Sequence, residues 1–539
     1  MIESSSVPAA AGNAASIVLA TPSPVTHRTA EENLGLGYLA AFLRGAGYRV
    51  EIVDGWLLGL DVDALAAQII ALKPMLLGFA CYRSNMQRAI ETMHLVRDGG
   101  VHPFTVAGGY GPTFHTNDFL DAGFDAVVRG EGELPMRMLA DHLAGRPGAP
   151  SLVDIPGLSW CDADGLPRHS PKPAPKLPIE SLPHPHRDTL ALTIRRRSLV
   201  HLQTARGCQA SCTFCSIVAF ERVGGGATWR QRGIKHIADE LEALWDKGAR
   251  YFKIIDDSLI EPPRGAQWCA DLADELSARG IQARLRGSIR ADRADEDVVR
   301  ELARAGFFSF SCGIENFSES ALRRMAKRAD VAQNHVTLDR FQAHGIYVQA
   351  GHILFDDRTS LEELEENYSG MCRHPEAISK GIFTEMYAAA GTNFTRRLTK
   401  RGALEMDSDS LGNTRYEMLD PRVRPLYRGL KRWQKAHAGT YDKAIDPLSA
   451  PKALDDHGLA VMHQLYREVR HVDLGFFRQL LDTAAGPVNT DRLDMEVDQL
   501  LRAEIERTAP WYADFDSRVQ SAYDAVGLSY DAEENPFLC

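Results

Sequence analysis

The sequence predicts an α/β protein in three parts, and three observations carry that prediction. From Ile17 to about Gly145 short apolar runs alternate with stretches of helical period, from Ser198 to about Leu404 the same alternation returns, and beyond Leu404 only amphipathic helices follow. The first block reads as a parallel, flavodoxin-like (Rossmann-type) sheet, the second as a partial (β/α)6 barrel and the third as a helical domain. The expected parts are residues 1–145, a linker over 146–190, residues 191–404 and residues 405–539.

In the first block, strands are expected over 17–20, 48–54, 75–79, 104–107 and 125–128. Helices should fill the intervals over 35–46, 62–71, 85–97, 117–122 and 134–143. A parallel sheet of this kind binds its ligand outside the carboxyl ends of the strands, so the informative residues are in the loops at 22–33, 81–85 and 108–113. The last of these, Gly108-Gly-Tyr-Gly-Pro-Thr113, suits a large flat ligand that approaches the backbone closely. Over 146–188 proline is frequent and periodicity is lost, which is the composition of a linker. The basic run Arg195-Arg-Arg197 reads as a solvated face, with neutralisation of an acidic substrate as the alternative.

In the second block, strands are expected over 199–204, 251–255, 281–286, 307–312, 347–354 and 377–387. Helices are expected over 234–247, 267–279, 296–305, 333–344 and 360–373. Chemistry in such a barrel collects at the carboxyl ends of the strands. Polar clusters stand there: Asp256-Asp257-Ser258, Gly287-Ser288-Ile-Arg290, Gly313-Ile-Glu315-Asn316 and the turn at Gly391-Thr392-Asn393. Each has a structural alternative, because Asp and Ser at strand ends also cap the next helix. Arg286 could be a salt-bridge partner, and His352 could touch substrate or be a satisfied core histidine. In the third block, amphipathic helices are expected over 426–437, 457–470, 476–483 and 497–505. No motif marks them, and they should close the open side of the barrel and shape the substrate pocket.

Composition bounds the partners. The 539 residues, 44% hydrophobic and 25% charged, suffice for a large core. A formal net charge of −11 gives no electrostatic footprint for nucleic acid or an anionic membrane, so a small molecule or small peptide is the expected substrate. No apolar run approaches the ~20 residues of a membrane span. The Ser/Ala-rich start, Met1 to Ala15, lacks the basic region of a secretory signal, and a cytoplasmic location is expected.

The chemistry-bearing stretch is Arg206-Gly-Cys208-Gln-Ala-Ser-Cys212-Thr-Phe214-Cys215, where three of the nine cysteines fall within eight residues. Three thiolates on so short a loop can hold one face of a [4Fe–4S] cube and leave its fourth iron open to a small molecule. Zinc is the first alternative, but structural zinc uses four closed ligands and no second Cys/His pair stands nearby. A disulfide reading suits neither the odd number nor a reducing compartment. The scattered Cys81, Cys161, Cys269, Cys312, Cys372 and Cys539 are buried free thiols by default. Cys81, in a loop that could meet a cofactor, and Cys539, in the tail, are the two that merit a functional test.

C-x3-C-x2-C after an apolar strand, with an aromatic residue before the last cysteine, resembles the radical S-adenosylmethionine (SAM) superfamily. The resemblance implies that Cys208, Cys212 and Cys215 ligate the cluster and that the open iron chelates SAM. It also implies that reduction of the cluster, by a donor such as flavodoxin or ferredoxin, cleaves SAM to a 5′-deoxyadenosyl radical. By the same resemblance Phe214 lies along the adenine. Ser288 and Arg290 hold the carboxylate or ribose of SAM, and Glu315 its ribose hydroxyls or amino group. Asp256 and Asp257 lie by the cluster loop or the substrate.

The first block, placed directly before that motif, resembles the cobalamin-binding domain of one large branch of the superfamily. The residues that carry the likeness are E-N-L-G-L-G-Y-L-A-A-F-L-R at Glu31 to Arg44, G-G-Y-G-P-T at Gly108 to Thr113 and R-G-E-G-E at Arg129 to Glu133. It implies cobalamin contacts from Tyr82, Ser84, Gly108, Gly109, Tyr110, Gly111, Thr113, Gly130 and Glu131. The D-x-H-x-x-G signature whose histidine ligates cobalt in cobalamin mutases is absent, so no imidazole is expected beneath the metal. A nucleotide-binding or empty flavodoxin-like domain is the alternative.

Together the resemblances imply a cobalamin-dependent radical SAM methyltransferase acting on an unactivated carbon or a phosphinate phosphorus of a natural-product precursor, such as that of an antibiotic. A cyclase or oxidative rearrangement enzyme of the same branch and a non-catalytic cobalamin sensor are the alternatives. A methylthiotransferase would need a second cluster, for which the first block offers Cys81 alone.

Overall fold

The computed structural model describes residues 16–24, 31–379, 381–406, 414–449, 452–486 and 489–528. Its first sheet begins with the five expected parallel strands, β1 (Ser16–Thr21), β2 (Arg49–Asp54), β3 (Leu76–Ala80), β4 (Phe104–Gly108) and β5 (Ala126–Val128). Their near-continuous apolar runs follow from burial on both faces. Val18, Leu77, Phe79 and Ala107 pack into one core, while Ile17, Leu19, Leu76 and Val106 pack into another on the opposite side. The strand order places β2 and β3 on either side of β1, so the chain reverses direction across the sheet at the β1–β3 boundary. A crevice opens at such a switch point, outside the carboxyl ends of the strands.

The sheet does not stop at β5. Within the stretch expected to be a linker, β6 (Leu158–Cys161) adds antiparallel to β5, and β7 (Pro167–His169) adds antiparallel to β6, giving seven strands in all. The added edge strand is short, exposed and opened by a proline, a composition that blunts a sheet edge and leaves no periodic signal.

The second sheet is parallel throughout, in the order β14 (Tyr347–His352), β13 (Phe307–Glu315), β12 (Arg284–Arg290), β11 (Tyr251–Ile254) and β8 (Val200–Leu202). The segment expected as a sixth strand over 377–387 makes isolated parallel bridges at Ile378 and Glu385 instead of a continuous ladder. Its backbone is drawn elsewhere: Ser379 N–H donates to Tyr466 Oη at 2.7 Å. Between β8 and the helices, a small hairpin of β9 (Ala205–Gly207) and β10 (Trp229–Gln231) carries the cysteine loop at its tip.

Four helices follow, Val423–Ala436, Ala438–Ser449, Asp456–Ala484 and Thr490–Ala525. Leu426, Leu430 and Trp433 join the barrel core, and Tyr441, Leu448 and Tyr466 pack with Leu199, Phe308 and Ile378 at its amino end. The helices expected over 457–470 and 476–483 are one. Gly475 costs the helix about 1 kcal/mol relative to alanine, and burial of the neighbouring Phe476 and Phe477 outweighs it. Among the described residues no helix is long and apolar enough to cross a membrane.

Candidate cofactor chamber and cluster loop

The cysteine loop is fixed from several sides. Gly207 has φ +87°, and a Cβ there would fall 2.0 Å from Thr228 O, so only glycine can lead into Cys208. Cys208 N–H then donates to Thr228 O at 3.1 Å, and Gly207 N–H donates to Asp257 Oδ2 at 3.0 Å. Further on, Thr213 N–H donates to Met325 O at 3.0 Å, and Phe394 N–H donates to Thr213 O at 2.8 Å. Phe214 packs with Met325, Met386 and Phe394.

Among the described residues no three metal-ligating side chains are gathered into a cage. Cys208 Sγ donates to the buried Glu261 Oε1 at 3.3 Å, while Cys212 and Cys215 lie one turn apart, with Cys215 N–H reaching Cys212 O at 3.4 Å. Burial pushes the Cys208 thiol up to about 12 and raises those of Cys212 and Cys215. Backbone N–H groups of Ile217 and Val218 favour the Cys215 thiolate against that burial. Three thiols within eight residues of one clamped loop suit a cluster with one open iron, and binding iron would supply the charge that draws the protons off.

Of the residues expected to meet SAM, Glu315 ends β13 with φ +63°, in the left-handed region unusual for a non-glycine residue. Its carboxylate pairs with the buried Lys327 at 3.1 Å, and a Cβ at Gly313 would lie 2.8 Å from Glu315 Oε1. Burial works against the Lys327 charge, but Glu315 and Cys212 outweigh it and the ammonium is strengthened. Lys327, beside the cluster loop, carried no sequence signal. Ser288 is half-buried on the inner face of β12. Arg290 sits beside the loop through Glu261, but its guanidinium is given to Glu261 at 2.8 Å and to Asp292 at 2.9 Å.

Asp256 and Asp257 part company. Asp256 is buried, accepts from Thr204 N–H at 2.6 Å and lies 3.6 Å from Arg264, a structural role. Asp257 opens to the interior beside the loop, and enclosure by protein pushes its carboxyl up to about 7. His352 Nε2 lies 3.1 Å from Asn367 Oδ1, and burial lowers it to about 4, as for a core histidine.

A cavity of about 490 Å³ joins the two α/β units. Its inner part is an apolar slot on the face of the central strands, bounded by Leu19 and Val106 of the sheet and by Leu36, Leu39 and Met136 of the helices Leu34–Gly45 and Glu133–Leu143. Its outer part runs past Gly108, Gly109 and Tyr110 to Ser216, Ile217 and Phe220, the helix that follows the cluster cysteines. Gly109 has φ +96°, and a Cβ there would fall 2.9 Å from Cys81 O. At Gly108 nothing lies nearer than Val128 at 3.8 Å, so a side chain would take cavity space. A bare backbone rim over a deep apolar slot fits a large flat ring with a buried tail, which is what cobalamin would require.

Gly130 lines the same cavity with φ +92°. Gly111 is buried against Met86, and Thr113 Oγ1 donates to Gly109 O at 2.7 Å and accepts from Gly130 N–H at 3.1 Å, tying the two glycine loops together. Tyr82 is exposed at the rim, with Ser84 half-buried beside it. Tyr110 Oη donates to Ala390 O at 2.8 Å. Glu131 pairs with Arg230 and Arg206 of the second unit, which gives it an interdomain contact that its sequence context did not reveal. Cys81 is buried in the cavity wall and its thiol is raised by burial; Cys269 and Cys312 are also buried, Cys161 is half-buried, Cys372 is exposed, and Cys539 and Met1 to Ala15 lie outside the described residues.

Comparison with known proteins gives the same division. Residues 25–140 match the model of the B12 binding domain, and residues 202–368 match that of the Radical SAM superfamily. The chain is 28% identical over 340 residues to an uncharacterized methyltransferase of Pyrococcus horikoshii, covering 62% of this chain and 71% of that protein. It is 27% identical to the anaerobic magnesium-protoporphyrin IX monomethyl ester cyclase of Rubrivivax gelatinosus, covering 65% and 63%. It is 25% identical to the cytidylyl-2-hydroxyethylphosphonate methyltransferase of Streptomyces wedmorensis, covering 74% and 83%. In fold it is similar to the cobalamin-dependent SAM radical enzyme OxsB, solved with aqua-cobalamin and SAM, with a TM-score of 0.78 at 18% identity over 97% of this chain and 83% of that one. A B12 binding domain is thus set against a radical SAM domain with its three-cysteine loop across one cavity, a pairing whose cofactors are a [4Fe–4S] cluster, SAM and cobalamin.

Proposed function

We propose that this enzyme transfers a SAM-derived methyl group to an unactivated carbon or a phosphinate phosphorus of a small natural-product precursor. The observation that carries the reading is the shared cavity, in which the glycine rim of the first sheet faces the helix that follows the cluster cysteines. Cluster, SAM and cobalamin, when bound, supply radical generation and a methyl group held for transfer. The chain supplies placement. Cys208, Cys212 and Cys215 would hold the cluster, Phe214, Ser288 and Glu315 would orient SAM, and Gly108, Gly109 and Gly130 would leave room for the corrin. Asp257, opening into the cavity, can hold or accept a proton near neutral pH. Relatives named cytidylyl-2-hydroxyethylphosphonate methyltransferase and 2-(S-pantetheinyl)-carbapenam-3-carboxylate methyltransferase support anionic precursors as substrates.

Ring formation or oxidative rearrangement with the same cofactors is the second reading, favoured by relatives named as a cyclase and as 4′-phospho-dehydrooxetanocin synthase. Anaerobic turnover with methyl-deuterated SAM separates them. Three deuteriums in the product establish methylation, whereas 5′-deoxyadenosine formed with an unlabelled, dehydrogenated product establishes the second reading. Reconstituted protein that holds no iron and cleaves no SAM would remove both and leave a cobalamin sensor.

A further inference from the structure

Around the cavity the two α/β units meet through charge, with carboxylates from the first unit and bases from the second. Glu31 lies 2.8 and 2.6 Å from Lys253 Nζ through its two oxygens and 3.6 Å from His201 Nε2, and Glu32 accepts from His201 N–H at 2.6 Å. At a second place Glu131 accepts from Arg230 Nη1 at 3.1 Å, and Glu133 lies 2.7 Å from Arg206 Nη1. Both places border the cavity: Glu131, Glu133 and Arg206 line it, and Glu31 and Glu32 directly precede its lining residues Asn33 and Leu34. Although burial raises the Glu31 carboxyl, Lys253 and His201 outweigh it and hold the group well below the usual carboxylate range.

Little apolar packing spans this seam. The large clusters of buried side chains under the first sheet, and those of the barrel and C-terminal helices, each stay within their own unit. Among the described residues the cluster that draws on both is small: Leu34, Tyr38 and Leu182, with Phe42, Leu177 and Ile255 packed against them. Domains joined by a polar seam move relative to each other unless a large apolar interface holds them, and parted charges regain the hydration that burial took from them. The cavity of about 490 Å³ has the size of a site for a drug-sized ligand. A corrin with its nucleotide tail is larger, and the tail has to pass the glycine rim to reach the slot between the helices Leu34–Gly45 and Glu133–Leu143.

We propose that this seam is the gate through which cobalamin enters. The Glu31–Lys253 and Glu133–Arg206 pairs, with their neighbours, latch the two units, which part there to admit the ring and its tail and then close on them. The inference rests on the cavity being the cobalamin site and is independent of the reaction that follows.

The experiment is stopped-flow absorbance of the cofactor-free full chain mixed with a rising excess of hydroxocobalamin. A gate that opens before binding limits uptake, so the observed rate should level off at high cobalamin at the rate of opening. Glu31→Gln and Lys253→Gln, with circular dichroism unchanged, should each raise that ceiling about fivefold, the effect of losing one partly exposed ion pair. Because both remove the same latch, the double variant should open no faster than either single one. A rate that stays proportional to cobalamin, or a ceiling that neither variant moves, overturns the gate and leaves the pairs as fixed interdomain ties. A chain that takes up no cobalamin overturns both the gate and the site. Gate kinetics as expected in a protein that transfers no labelled methyl would sink the methylation reading and leave the gate standing.

Discussion

Arg206 Nη1 lies 2.7 Å from Glu133 Oε1, joining the second residue ahead of the first cluster cysteine to the first residue of the helix Glu133–Leu143 beneath the cavity. The pair is largely shielded, with side-chain exposures of 13% and 7%. Burial raises the Glu133 carboxyl, yet Arg206 outweighs it and leaves it lowered. Removing Glu133 leaves Arg206 with Glu131, 3.5 Å away, as its remaining carboxylate, so the cost should fall below the ~3–5 kcal/mol of an unpartnered buried charge. Glu133→Ala should therefore lower the thermal midpoint and separate the unfolding of the two α/β units, seen as a second transition in calorimetry. A single transition at the parental midpoint would show that the pair does not couple them.

Replacing Cys208, Cys212 or Cys215 by Ala should abolish cluster assembly, from about four irons per chain to near none. Cobalamin uptake should remain, because the glycine rim and apolar slot belong to the first unit. Iron analysis and anaerobic SAM cleavage read the outcome. A Cys212→Ala protein that still made 5′-deoxyadenosine would refute the ligand assignment.

Gly108→Leu tests the other half of the chamber. A Cβ at this position meets only Val128, at 3.8 Å, so the fold should tolerate the change while the added side chain occupies the cavity. Absorbance titration with hydroxocobalamin should show at least a tenfold loss of affinity, about 1.4 kcal/mol, with iron content preserved. Parental affinity would place the corrin elsewhere.

These sites differ in how far the sequence disclosed them. Strands β1–β5 and their helices lie within about two residues of their expected bounds, since burial on both faces writes long apolar runs that tolerate few alternatives. The cysteine loop was legible because its ligands are local. Lys327, Glu261 and the Glu31–Lys253 pair were not, because each acts through a partner brought close only by the fold; Glu31 and Lys253 are 222 positions apart. The hairpin of β6 and β7 escaped because strands this short hold too few residues to display a period.

Asp473 gives a pH dependence outside the chamber. It is 1% exposed in the C-terminal helices and accepts from Trp433 Nε1 at 2.8 Å and Tyr441 Oη at 2.6 Å; burial pushes its carboxyl up to about 7. Because the folded value exceeds the unfolded one of about 3.9, its contribution to stability is full below about pH 4 and is lost as pH rises through about 7. Asp473→Asn keeps the acceptor without the charge. Its thermal midpoint, compared with the parent, should gain more at pH 8 than at pH 5, and an equal difference at both would show that Asp473 does not titrate in this range.

The last prediction concerns the lower face of cobalamin. No histidine is among the described residues that line the cavity, and its inner end is the apolar slot between Leu19, Leu36, Leu39, Val106 and Met136. An apolar slot accepts the dimethylbenzimidazole tail but offers nothing that ligates a metal, so the base should be displaced from cobalt and buried there with no imidazole in its place. The chain groups nearest the rim, from Tyr82 to Asn85 and Tyr110 to Thr113, include none with a strong neutral nitrogen donor: the Asn85 amide nitrogen donates to Pro22 O at 2.9 Å, and Tyr110 Oη is given to Ala390 O. A weakly ligated lower face pushes less electron density onto the metal, which suits release of a methyl group as a radical. Paramagnetic resonance of the Co(II) form bound to the protein measures this directly. Superhyperfine splitting from an axial nitrogen would sink the prediction, and a spectrum without it, from protein that retains cobalamin through gel filtration, is the expected result.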